Sequence, residues 1–396
     1  MATKFEQLTL LYQETIKRIS KDEEAWMDFL KSSCRNYRLS FADMVLIYAQ
    51  RPEAKAVLEM EAWNKRYSLW IKQGSKGIAV FDPDYSSARI KYYFDIADTR
   101  KTKFYRPVPI WSMKPEYEQE VISALNDKFD ILDNDSTIEE AILSASANIV
   151  EDNISDYLTD LHYCIEDSLL EELDEQNLEI IYKSVLTNTI AYSVLTRCDI
   201  DAQLYISEDD LRLISQFNTP ELLNALGVTS RDMTQMVLGE VRTAVLNCIR
   251  QPNRTFELKD TNLYNKTEKK KRMKKGALNK MKIEYIQQGD YQIPNLTLKP
   301  EDNIQLGKYA LMRKRYLKEH RPILFTNYLT TQTLNQHLME IDKTANQRKE
   351  LLMKQLMEQQ KVNEQLKEVN QMLWVQMMNN IEATVHEIIC KELIYS

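Results

Sequence analysis

Aromatic and cationic side chains are interleaved in one stretch of the sequence, between positions 63 and 76. Rings can stack on bases and cations can contact phosphates, so this combination suits a flexible single strand of nucleic acid. The turn Gly74-Ser75-Lys76-Gly77 ends the stretch, and its glycines would allow a bound backbone to approach closely. A structural interpretation competes, because aromatic residues at helical spacing more often form a core. The candidate DNA-contacting residues are Trp63, Lys65, Arg66, Tyr67, Trp70, Lys72 and Lys76.

An H-E-x-x-C pattern is formed by His386, Glu387 and Cys390. It resembles the helix of a metalloprotease that carries two of the zinc ligands. A metalloprotease helix carries a second histidine one turn after the first, so that both imidazoles reach one metal ion. The sequence offers no evident third ligand, and it contains no phosphate-binding glycine loop and no nucleophile elbow. We therefore predict a protein that is not an enzyme and has no metal or cofactor site.

The net charge of −7 is unevenly distributed along the 396 residues. Residues 1–111 carry 19 Lys and Arg against 14 Asp and Glu, and residues 256–396 carry 24 against 17. Residues 112–255 carry only 9 against 28, an excess of 19 negative charges. An acidic middle repels phosphate, so contacts with nucleic acid are predicted for the two basic ends. The additional candidate contacts at the second basic end are Lys270, Arg272, Arg313 and Arg315.

Helices and short strands must position these residues. Two amphipathic helices are predicted within residues 4–33, and Ser40 is predicted to cap a helix that ends near Arg51, before Pro52. The segments 78–81 and 90–94 are predicted to be short strands of a hairpin, joined by a turn through Pro83 and Asp84. The acidic middle has helical periodicity throughout, with Gly227 as a predicted helix C-cap.

The end of the chain combines a short β-hairpin across Gly289-Asp290 with helices. A basic helix is predicted over 307–320, followed by two long helices over 331–360 and 364–394 that form an antiparallel hairpin. Their near-heptad apolar spacing also permits homo-oligomers. The predicted class is α+β. The predicted domains are an α+β domain over 1–111, an acidic helical domain over 112–255, a basic linker over 256–281 and a hairpin domain over 282–396.

The segments WNKRYSLWIKQGSKGIAVFD and YYFDIADTR resemble the N-terminal domain of ArdC-type antirestriction proteins. They are more similar still to the opening of large helicase–methyltransferase proteins of conjugative elements. The resemblance implies binding of single-stranded DNA, which is associated with the ArdC-type domain. The H-E-x-x-H metalloprotease domain of ArdC-type proteins has no counterpart in this sequence. The residues that carry the resemblance are Trp63, Gly74, Lys76, Gly77 and Phe94-Asp95-Ile96.

Three further blocks lie near the end of the chain: LGKYALMRKRYLKEHRP, LTTQTLNQHLMEID and WVQMMNNIEATVHEIICKELIY. They resemble the transposon-encoded TnpV family, and the resemblance implies a mobile-element context rather than a reaction. Met281 stands where an independent protein of that family would begin, which suggests that two genes were joined in frame.

Together these features predict a cytoplasmic, mobile-element-encoded accessory protein that binds DNA, preferably single-stranded, in support of antirestriction, transposition or conjugation. No signal-like or membrane-spanning segment is present in the sequence. The alternative is an adaptor whose acidic middle and C-terminal helices bind a host defence protein or an element-encoded recombinase. A remnant without retained function is a third, weaker interpretation.

Overall fold

The computed structural model describes residues 4–83, 89–130, 137–250, 285–294 and 306–396. Helices dominate and the sheets are small and antiparallel, which confirms the predicted α+β class. The helices are α1 (Lys4–Ile19), α2 (Glu23–Ser33), α3 (Phe41–Gln50), α4 (Met60–Tyr67), α5 (Glu118–Lys128), α6 (Ile138–Asn153), α7 (Ser155–His162), α8 (Glu175–Arg197), α9 (Glu208–Leu211), α10 (Pro220–Arg250), α11 (Lys308–His320), α12 (Pro322–Thr330), α13 (Leu334–Gln359), α14 (Glu364–Val369) and α15 (Gln371–Ile389). The strands are β1 (Val57–Glu59), β2 (Leu69–Ile71), β3 (Ile78–Asp82), β4 (Arg89–Asp95), β5 (Thr99–Lys101), β6 (Tyr285–Gln288) and β7 (Tyr291–Pro294).

The N-terminal sheet has the order β1-β4-β3 and contains the predicted hairpin of β3 and β4. Helices α1 and α3 pack on β3, so its side chains up to Phe81 are buried. The ring of Phe81 lies 5.1 Å from that of Phe5 and 5.9 Å from that of Tyr12, both on α1. Helices α1 and α3 and this sheet therefore form one layered unit.

Helix α3 begins and ends where the sequence predicts. The Ser40 hydroxyl accepts a hydrogen bond from the backbone N–H of Asp43, and Arg51 leaves the helical conformation directly before Pro52. The Asp43 carboxyl is buried and accepts a hydrogen bond of 3.4 Å from the hydroxyl of Tyr93. Burial raises the pKa of Asp43 to about 6. A titratable group near neutral pH thus lies inside the N-terminal core.

Protonation of Asp43 is expected to stabilise the protein as the pH falls. The folded protein binds this proton more tightly than the unfolded chain, so stability rises from pH 7 towards pH 4. With a folded pKa of about 6, the gain between pH 7 and pH 5 is about 1.4 kcal/mol. Urea unfolding of the wild type and of Asp43→Asn at both pH values measures this gain. An equal pH dependence in the two proteins would contradict the prediction.

One continuous hydrophobic core joins the N-terminal layers to the acidic helical middle. Trp111 belongs to this core, with the guanidinium of Arg197 centred 3.6 Å from its ring. Arg197 also donates a hydrogen bond of 2.8 Å to the Trp111 carbonyl. The predicted boundary at residue 111 therefore lies within a shared core.

The predicted helix end at Gly227 is wrong. Helix α10 continues through Gly227 to Arg250, and the ring of Phe41 from α3 packs directly against the Gly227 Cα. A side chain at position 227 would overlap this ring. The glycine therefore allows α3 and α10 to approach closely. Close packing, like a helix C-cap, is a common reason for a glycine in a helical sequence.

The last part of the chain forms the predicted helical hairpin, in which α13 packs on α15. Its second arm is divided at Asn370, where the backbone leaves the helical conformation and the side chain caps α15. Ion pairs of 3.1 Å join the two arms, from Arg348 to Glu392 and from Lys349 to Glu382.

The predicted linker over 256–281 lies outside the described residues. None of the helices in the described ranges is both long and apolar enough to cross a bilayer.

Candidate nucleic-acid interface

A two-stranded ribbon presents the exposed tryptophan of the first candidate stretch. Strands β2 and β5 are antiparallel, with Trp70 directly opposite Arg100. Directly opposed residues project from the same face of a sheet. Leu69 and Ile71 on either side of Trp70 are buried, whereas Trp70 is 49% exposed. The ribbon thus places an indole ring and a guanidinium side by side in solvent.

The segment that follows β5 adds further aromatic residues to this surface. Phe104 is 83% exposed and Tyr105 is 41% exposed. Two hydrogen bonds of 2.8 Å hold the segment beside the start of β2, one from the Thr102 hydroxyl to the Ser68 carbonyl and one from the Arg106 N–H to the Tyr67 carbonyl. The backbone that carries the exposed rings is therefore held close to the ribbon.

The residues around the ribbon carry a high density of positive charge. The two segments 65–76 and 99–106 contain eight Lys and Arg and no Asp or Glu. The second segment, TRKTKFYR, has the same interleaving of rings and cations as the first but was not predicted as a contact. We define the β2–β5 patch as the exposed residues Arg66, Trp70, Lys72, Arg100, Lys101, Lys103, Phe104, Tyr105 and Arg106.

Trp63 does not belong to this surface, and its assignment as a base-stacking residue is wrong. Its side chain is completely buried, and its indole N–H donates a hydrogen bond of 2.8 Å to the Phe94 carbonyl. Its ring lies 5.8 Å from that of Tyr67, which is half-buried. Burial against Phe94, Leu69 and Ile71 makes Trp63 the centre of a small core.

The turn of Gly74 to Gly77 is also not open to a ligand backbone. The N–H of Gly74 donates to the Asp290 carbonyl at 2.7 Å, and the N–H of Gly77 donates to the Gln292 carbonyl at 2.8 Å. The predicted close approach is therefore made by the β6–β7 hairpin of the same chain, rather than by a bound strand.

The lysines of the first stretch are exposed, and each has a contact within the protein. Lys65 forms an ion pair of 2.8 Å with Glu61, and Lys72 donates to the Ala97 carbonyl at 2.8 Å. The ammonium of Lys76 lies 4.7 Å from the centre of the Tyr285 ring. Exposed contacts of this kind contribute little to stability, so these lysines can exchange them for phosphate contacts.

Two of the candidate cations at the second basic end, Arg313 and Arg315, differ in their exposure to solvent. Arg313 is buried, and its guanidinium donates hydrogen bonds of 2.9 Å and 2.8 Å to the carbonyls of Ile394 and Ser396. Its assignment as a phosphate contact is therefore wrong. Arg315 is exposed and pairs with Glu319 one helical turn away. Lys270 and Arg272 lie outside the described residues.

Replacing Arg313 by alanine is expected to destabilise the protein by about 2 kcal/mol, because the buried carbonyl of Ile394 and the carbonyl of Ser396 lose a charged donor. Replacing Arg315 by alanine on the same helix is expected to change stability by less than about 0.5 kcal/mol. Thermal unfolding followed by circular dichroism compares the two variants. Equal melting temperatures for both would contradict the structural role of Arg313.

The H-E-x-x-C pattern brings its histidine and cysteine together without further ligands. The Sγ atom of Cys390 lies 3.8 Å from ring nitrogens of His386, and burial raises the pKa of the Cys390 thiol. In the part of the chain that the structure describes, no three His, Cys, Asp or Glu side chains are grouped to hold a metal ion.

The part of the chain that contains Arg313, the β6–β7 hairpin and helices α11–α15 is similar to a known family. Residues 284–394 match the model of the transposon-encoded protein TnpV. The match covers about a quarter of the chain and supports the predicted resemblance of this TnpV-like region. No match supports the resemblance of the N-terminal segment to the ArdC-type domain. No curated protein and no solved structure matches the chain.

Proposed function

We propose that this chain is a non-enzymatic DNA-binding accessory protein of a mobile element, and that the β2–β5 patch binds single-stranded DNA. The observation that supports this function is the exposure of Trp70 and Phe104 on segments that carry cations and no acidic residues. Stacking on exposed rings requires unpaired bases, because the bases of a duplex are already stacked on each other. The similarity of residues 284–394 to TnpV supports the mobile-element context.

Phosphate contacts would come from the cations on both strands of the ribbon. Arg100 and Lys101 lie on β5, and Lys72 follows β2, so a single strand that crosses the ribbon meets cations on either side of Trp70. Binding through several phosphates weakens steeply with salt. The acidic middle repels phosphate and restricts the strand to this surface.

The test is fluorescence anisotropy of a labelled oligothymidine with the full chain. Trp70→Ala and Phe104→Ala are each expected to weaken binding by about 1–3 kcal/mol, which corresponds to roughly fivefold to more than a hundredfold in Kd. The matched control is Leu204→Ala, since Leu204 is 70% exposed but lies in the acidic middle. It is expected to leave Kd unchanged.

A charge variant separates phosphate contact from stacking. Lys101→Gln combined with Lys103→Gln is expected to weaken binding and to make the salt dependence shallower, by about 0.7 in the logarithmic slope for each lost phosphate contact. The proposal fails if the full chain binds no oligonucleotide, if it prefers duplex, or if Trp70→Ala and Phe104→Ala bind as tightly as the wild type.

The adaptor function is a second candidate, supported by a different exposed surface. Between α7 and α8, Tyr163 is 68% exposed and Leu169 is 65% exposed. The same connection contains the exposed acidic residues Glu166, Asp167, Glu171 and Glu172. Apolar side chains surrounded by carboxylates suit a basic protein partner. Such binding would be lost in a Leu169→Ala variant and retained in Trp70→Ala, the reverse of the result expected for DNA.

A further inference from the structure

Helix α12 of the TnpV-like region has two buried faces that belong to different cores. Ile323 is completely buried in the core that α1–α3 share with the helical middle. Phe325 is buried in a separate core with residues of α11 and α13. A helix that is apolar on opposite sides must be covered on both. Helix α12 therefore joins the TnpV-like region to the rest of the chain.

A buried polar network aligns α12 against the body, which we define as the described residues 4–250. The side-chain amide of Asn224 on α10 donates to Asn327 Oδ1 at 2.8 Å and to Thr330 Oγ1 at 3.2 Å. The Tyr12 hydroxyl donates to Asn224 Oδ1 at 2.5 Å, and the Asn327 amide donates to Cys164 Sγ at 3.3 Å. Buried polar groups that lose their partners destabilise a structure, so such a network favours one alignment over others.

A partly buried ion pair lies at the start of the same helix. The guanidinium of Arg321 bonds to the carboxylate of Asp160 on α7, whose side chain is only 4% exposed. Removing one member of such a pair leaves the other charge buried without a partner, which is strongly unfavourable. The groove formed by α7 and α10 thus recognises α12 by packing, by amide hydrogen bonds and by charge.

The β6–β7 hairpin provides a second attachment point. It accepts backbone hydrogen bonds from Gly74 and Gly77, and the Gln292 N–H donates to the Ser75 carbonyl at 3.0 Å. The ring of Tyr291 lies 5.6 Å from that of Phe94. Both attachment points belong to the segment that matches TnpV.

We propose that α12 is a protein-docking element, and that its partner is the groove of α7 and α10 in the same chain. The TnpV-like region is then held by the body through a specific non-covalent interface and stays bound when the connecting chain is cut. This inference does not depend on DNA binding by the β2–β5 patch.

The experiment uses the full chain with a protease recognition sequence inserted within 256–281, between α10 and β6. After cleavage, the two fragments are expected to elute together in size-exclusion chromatography. Dilution of the cleaved complex then gives the Kd of the fragments. Separation of the cleaved wild-type fragments under native conditions would overturn the proposal.

A double-mutant cycle tests whether α12 provides the docking. Arg321→Ala and Asp160→Ala are each expected to weaken the fragment complex by roughly a hundredfold. The double variant is expected to be no weaker than either single variant, because neither charge is then left unpaired. Arg315→Ala on the exposed face of α11 is the matched control and is expected to leave Kd unchanged. Additive losses, or no loss in either single variant, would overturn the docking role of α12.

Discussion

Trp63→Ala is expected to destabilise the protein by about 3–5 kcal/mol, because it removes a completely buried indole from a small core. It also leaves the Phe94 carbonyl without the N–H that now donates to it at 2.8 Å. Trp70→Ala, seven residues further on, is expected to change stability by less than about 1 kcal/mol, because Trp70 is half-exposed. Urea unfolding followed by circular dichroism measures both values.

The pair of tryptophans separates a role in the core from a role in binding. Trp70→Ala should remain folded and lose DNA affinity, whereas Trp63→Ala should lose stability first. A Trp63→Phe variant, which retains most of the apolar volume but not the N–H, is expected to lie between wild type and Trp63→Ala. Similar stability losses in Trp63→Ala and Trp70→Ala would show that both side chains act as core, and the β2–β5 patch would lose its central ring.

Gly227→Leu is expected to destabilise the protein by at least about 3 kcal/mol, because a side chain at this position would occupy the space of the Phe41 ring. Phe41 is itself buried, between α3 and α10, and has little freedom to move away. The midpoint and slope of urea unfolding give the change in the free energy of unfolding.

The same helix offers the matched control for this substitution. A Cβ atom at Gly239 would meet no atom within 4 Å, so Gly239→Leu is expected to stabilise the protein by up to about 1 kcal/mol through helix propensity. Removing the ring in a Phe41→Ala, Gly227→Leu double variant should recover part of the lost stability. Equal effects at positions 227 and 239 would contradict the close approach of α3 to α10.

The sequence predicted the elements whose signals are local. Ser40 at the start of α3, Pro52 after its end and Pro220 at the start of α10 act within a few residues, and the structure places the helix limits beside them. The two short apolar segments that became β3 and β4, with turn residues between them, were equally sufficient. By contrast, the local sequence around Gly227 is the same whether the glycine ends a helix or lies where a ring from another helix packs against it.

The candidate site was only partly predictable from the sequence, because the apolar pattern does not contain the two features that determine which side chains are exposed together. Trp63, Tyr67 and Trp70 have helical spacing, but Ser68 adopts a left-handed conformation that ends α4. Trp70 therefore lies on a strand and points away from the core that contains Trp63. The pairing of Trp70 with Arg100 joins residues thirty positions apart, which no local pattern indicates.

The assignment of Arg313 was wrong for a related reason. Arg313 and Arg315 both occur in the basic run of α11, and sequence composition does not distinguish them. The carbonyls that Arg313 bonds belong to Ile394 and Ser396, about eighty residues further along the chain. Only the packing of α11 against the last turn of the helical hairpin identifies which arginine is buried.

The β6–β7 hairpin has a consequence for self-association. Backbone groups of the turn at residues 74–77 are bonded by this hairpin, and without it these groups would be open to pairing with another chain. The TnpV-like region thus covers these backbone groups of the N-terminal part. Shortened forms of the protein that end before residue 285 would expose these backbone groups together with the groove that holds α12. We expect such shortened forms to be less soluble than the full chain.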